Sequence, residues 1–97
     1  MNNFNSLLLK EFNDNIKKNN QILVIDIDGV VASIVEDGDY SKSKPIRENI
    51  IQINKLKKAG LKIIFFTARG SVTGKDWMQV TKDQFKEWGL LYDELKF

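Results

Sequence analysis

The run Ile22-Leu23-Val24-Ile25-Asp26-Ile27-Asp28-Gly29 decides the fold: an unbroken apolar stretch turns acidic and ends on glycine. Such a run fits a strand buried on both faces, as in a parallel sheet, and predicts a strand over 22–27. A second run, Lys62-Ile63-Ile64-Phe65-Phe66, leads straight into Thr67-Ala68-Arg69-Gly70. Between them Ile46, Ile50 and Ile53 follow one helical stripe with Leu56 beside it. Pro45 suits the first helical position and Gly60 the left-handed stop, so a helix is expected over 46–59. Strand, helix and strand then form one crossover with parallel strands ending on the same edge.

Working outward, Met78, Phe85 and Trp88 mark a helix over about 76–88 closed by Gly89, and Leu90 to Phe97 reads as a further strand. Residues 33–36 and 39–41 flank Asp37-Gly38, the dipeptide best suited to a two-residue turn, so a small hairpin flap is expected. Before the first strand, Leu8, Leu9, Phe12 and Ile16 are spaced by threes and fours up to Lys17-Lys18 and Asn19-Asn20. That spacing predicts a short amphipathic helix over 7–18, suited to covering a sheet face or edge.

With 97 residues, 42% of them hydrophobic, the chain has room for a single α/β domain with a thin core. Its 15 basic and 13 acidic residues are interspersed, which argues against a nucleic-acid partner. No apolar run is long enough for a membrane span or a signal-peptide core, so the cytoplasm is the expected compartment. Without cysteine or histidine there is no thiolate, no ordinary zinc site and no Ser-His-Asp triad. Carboxylate, hydroxyl and hard-metal chemistry remains.

Open parallel sheets bind ligands at the carboxyl ends of their strands, which here carry Asp26-Ile27-Asp28-Gly29 and Thr67-Ala68-Arg69-Gly70. Alternation along an extended chain points Asp26 and Asp28 the same way, and two carboxylates in one small volume call for a cation or a shared proton. The spacing suits phosphoryl transfer, with Asp26 as nucleophile and Asp28 as acid and base. Mg2+, held by few carboxylates plus phosphate and water, is the expected cofactor with Asp26 and Asp28 as its ligands. Gly29 lets main-chain N–H groups approach a phosphate, Thr67 offers a hydroxyl, and the N–H groups of Ala68 and Arg69 add donors. As a bare pattern Asp-x-Asp is more often a solvated strand end; its place after a buried strand and opposite a Thr-bearing strand end favours a site. Trp88 is expected in the core, Trp77 is open, and Asp39, Tyr40, Lys42, Lys44, Lys57 and Lys58 are expected at the solvent.

Asp26-Ile27-Asp28-Gly29-Val30-Val31 resembles the first motif of the haloacid dehalogenase-like phosphatases, and Phe65-Phe66-Thr67-Ala68-Arg69-Gly70 resembles the second. Lys44-Pro45-Ile46, Thr73-Gly74-Lys75-Asp76-Trp77 and Trp88-Gly89 through Tyr92-Asp93-Glu94-Leu95 are similar to a small capless branch associated with capsule and surface-polysaccharide biosynthesis. The resemblance covers about Gln21 to Phe97. It implies a three-layer α/β/α Rossmann-like domain with a short parallel sheet and no cap; the chain is expected to form one such domain over 1–97, in which residues 1–20 are an N-terminal helical extension with no counterpart in the resemblance. It also implies Asp26 as nucleophile and metal ligand, Asp28 as acid/base with its carbonyl on the metal, and Thr67 as phosphate anchor.

The family continues with a Gly-Lys-Pro motif and an acidic pair, neither of which is present, so the chain reads as truncated. Asp93 and Glu94, at the start of the last strand, are expected at the wrong edge of the sheet to replace that pair. The expected activity is Mg2+-dependent hydrolysis of a small phosphorylated metabolite such as a sugar phosphate. The alternatives are a non-catalytic phosphatase-like module and a metal-dependent sugar-nucleotide transferase. An unpaired sheet edge at the last strand invites a homo-oligomer.

Overall fold

Two five-residue apolar strands and one short strand build a parallel sheet in the order β1 (Ile22–Asp26), β2 (Lys62–Phe66), β3 (Glu94–Lys96). The computed structural model describes residues 21–71 and 73–97, so the helix expected over 7–18 lies outside the described residues. The register runs from Ile22 opposite Lys62 to Asp26 opposite Phe66, which brings β1 and β2 to an end level with each other. Helix α1 (Arg47–Lys58) links β1 to β2, and α2 (Met78–Glu87) links β2 to β3. Among the described residues both β1 and β3 are edge strands, not the last strand alone.

Crossovers that step the same way across a sheet with the usual right hand lay their helices on one face. The core has that arrangement: Ile50, Ile53 and Leu56 of α1 and Phe85 of α2 join Ile63 and Phe65 of β2 in one buried cluster, with Leu23, Ile25 and Leu95 packed against it. Phe65 meets Phe85 edge-on at 5.1 Å between ring centroids, and Tyr92 closes on both rings. Trp88 is buried, as expected, and so is Trp77. The opposite face differs from expectation. Ile22 and Val24 are each 57% exposed and Phe66 is 48% exposed, so the described residues form a helical layer on one side only and leave the other face of the strands uncovered.

Three local expectations are corrected. The helix begins at Arg47 with Ile46 as its cap, because the Ile46 N–H donates to the Val31 carbonyl at 2.9 Å and Pro45 bridges to Ala32. Main chain held in that pairing cannot yet be helical, so Pro45 lies before the cap. The flap is not a hairpin: the Asp37 carboxylate accepts the Asp39 N–H at 3.0 Å, and Asp39 caps a 3-10 turn over Tyr40–Lys42. Side chains that bond the local main chain compete with a strand ladder and win here. Lys57, expected as a solvated charge, is only 32% exposed and pairs with Asp93 at 2.9 Å, whereas Lys42 stays at the solvent as expected, beside Asp37 at 2.6 Å.

The last strand is also shorter than expected, because residues 90–93 serve as anchor. Leu90 is buried and its N–H closes α2 on the Phe85 carbonyl. Asp93 brackets Ile63: its N–H donates to the Ile63 carbonyl at 2.8 Å, and its carboxylate accepts the Ile63 N–H at 2.7 Å. That N–H, and next the Lys57 ammonium, hold the Asp93 carboxyl below its usual range. A depressed folded-state value contributes stability that is present above the unfolded value near 3.9 and is lost as pH falls through the folded one.

Two outcomes are expected. Phe65→Ala opens a cavity under both helices and costs about 3–5 kcal/mol in urea denaturation. Asp93→Asn lowers stability at pH 7 and loses less than the parent chain as the pH falls from about 5 to 3. Equal losses for both proteins in a pH series of denaturation midpoints would contradict the bracket.

Candidate functional site

Because β1 and β2 end level, the turns that leave them are neighbours, and the two polar clusters lie side by side. The turn after β1 winds tightly: the N–H groups of Val30, Val31 and Ala32 all donate to the Ile27 carbonyl at 3.0–3.2 Å. Gly29 has φ +87°, a region that side chains disfavour, and its N–H donates to the Ala32 carbonyl at 2.8 Å. The Gly29 N–H is therefore used inside the turn and not presented to a ligand.

The extended chain stops at Asp26, so alternation does not carry on to Asp28. Asp26 is exposed, with one carboxylate oxygen accepting the Ile27 N–H at 2.9 Å. The Asp28 side chain is 23% exposed and is gripped by Arg69, whose Nε and Nη2 reach its two oxygens at 3.1 and 2.8 Å.

Arg69 departs furthest from expectation. Its side chain is fully buried, and its Nη1 donates to Thr81 Oγ1 at 3.0 Å and to Gln84 Oε1 at 2.8 Å. Tyr40 lies over the guanidinium at 4.8 Å and meets Trp77 edge-on at 5.2 Å. Gln84 in turn donates to the Tyr40 carbonyl at 2.6 Å. With four N–H bonds made inside the protein, the guanidinium is not a phosphate contact. It fixes Asp28 and ties both turns to α2. A planar fork suits a carboxylate in this way, and a lysine would not replace it.

Thr67 is buried and its Oγ1 accepts the Arg69 N–H at 3.0 Å, so that N–H too is engaged. Among the described residues the Thr67 hydroxyl donates to none, and neither does the N–H of the exposed Ala68. Gly70 is required sterically, since at its φ of +83° a Cβ there would collide with the Lys75 carbonyl. Thr81 and Gln84 were not singled out by sequence reasoning, and Tyr40, expected at the solvent, instead lies over the guanidinium and against Trp77. The available signal was that Thr81 and Gln84 fall on the same helical stripe as Phe85 and Trp88, where buried polar groups demand a partner. Asp93 and Glu94 lie toward the amino end of β2, bonded to Ile63 and Lys62, away from Asp26.

Among the described residues, no three His, Cys, Asp or Glu side chains gather as a metal-holding group. Mg2+ does not require three, since it is commonly held by one or two carboxylates with phosphate and water completing its shell. The exposed Asp26 carboxylate and the Asp28 main-chain carbonyl are hard oxygen donors that fit such a site. The Asp28 carboxylate is already committed to Arg69.

No family model matches the chain, and no curated protein matches it. Among solved structures it is similar to an MCSG target protein from Vibrio cholerae, with a TM-score of 0.71 and 21% identity over 78% of this chain and 68% of that one. The likeness is one of fold. No helix among the described residues is long and apolar enough to cross a membrane.

Removing Arg69 leaves Asp28 without its counter-charge, and Thr81 and Gln84 without their donor. Arg69→Ala is expected to cost about 3 kcal/mol or more. Arg69→Lys should recover less than half of that loss. Denaturant midpoints at unchanged slope measure both, and full recovery by lysine would contradict the forked geometry.

Proposed function

We propose that the turns after β1 and β2 form a phosphomonoester-hydrolysing site of the haloacid dehalogenase-like type, on a three-layer α/β/α domain, acting on a small phosphorylated metabolite. The observation that supports the reading is the level ending of β1 and β2, with the exposed Asp26 opposite Phe66, the residue before Thr67 and Ala68. The sequence resemblance adds the substrate class, a sugar phosphate of surface-polysaccharide synthesis.

In this reading an Asp26 carboxylate oxygen attacks phosphorus, and the bond from phosphorus to the leaving oxygen breaks. The leaving oxygen takes a proton from Asp28. Water then gives a proton back to Asp28 while its oxygen attacks the aspartyl phosphate, releasing inorganic phosphate and restoring Asp26. The Thr67 hydroxyl and the Ala68 N–H hold phosphate oxygens during both steps. Mg2+, when held by Asp26 and the Asp28 carbonyl, supplies charge that offsets the approach of one anion to another.

One observation favours a second reading. Arg69 occupies both oxygens of Asp28, which suits a structural anion in a module that binds phosphate without turning it over.

Release of inorganic phosphate from p-nitrophenyl phosphate and a sugar-phosphate panel, with and without Mg2+, separates the two. The catalytic reading expects Mg2+-dependent turnover that Asp26→Asn lowers by about 10³-fold or more. Turnover unchanged in that variant would overturn the role of Asp26. A folded chain that binds phosphate analogues and releases none would favour the binding module.

A further inference from the structure

The sheet face turned away from α1 and α2 is an apolar strip with no cover among the described residues. Ile22 and Val24 of β1 stand beside Lys62 and Ile64 of β2, followed by Phe66, while the row continues on β3 with the charged Glu94 and Lys96. The apolar part is thus confined to two strands, with Ile22, Val24 and Phe66 about half exposed. An apolar strip of this kind in a small domain marks a docking surface.

We propose that residues 7–18 of this same chain lie on that strip as an amphipathic helix and supply the second helical layer. Leu8, Leu9, Phe12 and Ile16 fall within a stripe about 100° wide, as a helix packed on a sheet requires. Twelve helical residues span about 18 Å, against about 17 Å for the five residues of β1. One helix, about 10 Å across, covers two strands spaced about 4.8 Å apart, which is the width of the apolar strip.

Residues 19–21 form a connection of the length usual between a helix and the strand it packs on. The other face is already filled by α1 and α2, so a helix entering β1 at this distance has one apolar surface open to it. The inference does not depend on the phosphatase reading, and phosphate release plays no part in its test.

The chain has no cysteine, so introduced pairs report cleanly. Leu9→Cys, Phe12→Cys and Ile16→Cys are each combined with Val24→Cys or Phe66→Cys in the full chain and oxidised. Asp14→Cys, on the opposite side of the helix, serves as the control. At least one pair from the apolar stripe is expected to give an internal disulfide in a monomer, and the Asp14→Cys combinations none.

Disulfide-linked dimers alone would mean that a second copy covers the strip, and would overturn the proposal. So would failure of every pair in variants whose α2 amides stay protected from hydrogen exchange, or equal cross-linking by the control. Phe12→Asp in the full chain gives a readout free of cysteines: amide exchange in 22–26 should rise about tenfold or more while α2 stays protected. Unchanged exchange there would also overturn it.

Discussion

The forked bond between Arg69 and Asp28 is the constraint on which the arrangement of the site depends. A fully buried guanidinium is tolerable only when its donors are met, and here Asp28, Thr81 and Gln84 meet four of them under the ring of Tyr40. Those partners come from the turn after β1, from α2 and from the 3-10 turn, while Arg69 itself leaves β2. One side chain therefore fixes the mutual position of four segments that the thin hydrophobic core touches only in part. Its cost and its value are both local. The bond does little for the far end of the sheet, where Asp93 performs a similar office by gripping the main chain of Ile63 and the ammonium of Lys57.

The division of labour between Asp26 and Asp28 follows from where the strand stops. Had extended geometry continued through Asp28, the two carboxylates would share one direction and one environment. Because the chain turns at Ile27, Asp26 stays exposed with one oxygen on its neighbour's N–H, and Asp28 is drawn toward the cation under α2. Two acids two residues apart thus have different surroundings, one open to a ligand and one tied into the protein. Different surroundings are what distinct chemical roles require.

The parallel sheet and both described helices were legible in the sequence because apolar runs and helical stripes are set by burial, and burial is periodic. Ile22 to Asp26, Lys62 to Phe66 and the Ile50, Ile53, Leu56 stripe all lie where periodicity places them. The 3-10 turn that replaces the expected hairpin was not legible. Asp37-Gly38 carries a turn signal, but Asp37 and Asp39 each bond the main chain two residues on, and period-2 reasoning does not weigh such local bonds.

The role of the Arg69 guanidinium was not legible for a related reason. The sequence offered the Arg69 N–H as a phosphate donor, and the guanidinium's partners Thr81 and Gln84 declare themselves only as polar residues on a buried stripe. The apparent two-sided burial of β1 reflects its composition. An apolar side chain records that a face is meant to be covered without saying which segment covers it.

The central claim is that Asp26 becomes covalently phosphorylated. Acid quenching of the full chain during turnover of an acyl phosphate or p-nitrophenyl phosphate with Mg2+, followed by peptide mass spectrometry, tests it directly. The account predicts a phosphoryl adduct on Asp26 that is absent from Asp26→Asn. Turnover with the adduct on another residue, or a folded chain that forms none under any donor, would contradict it.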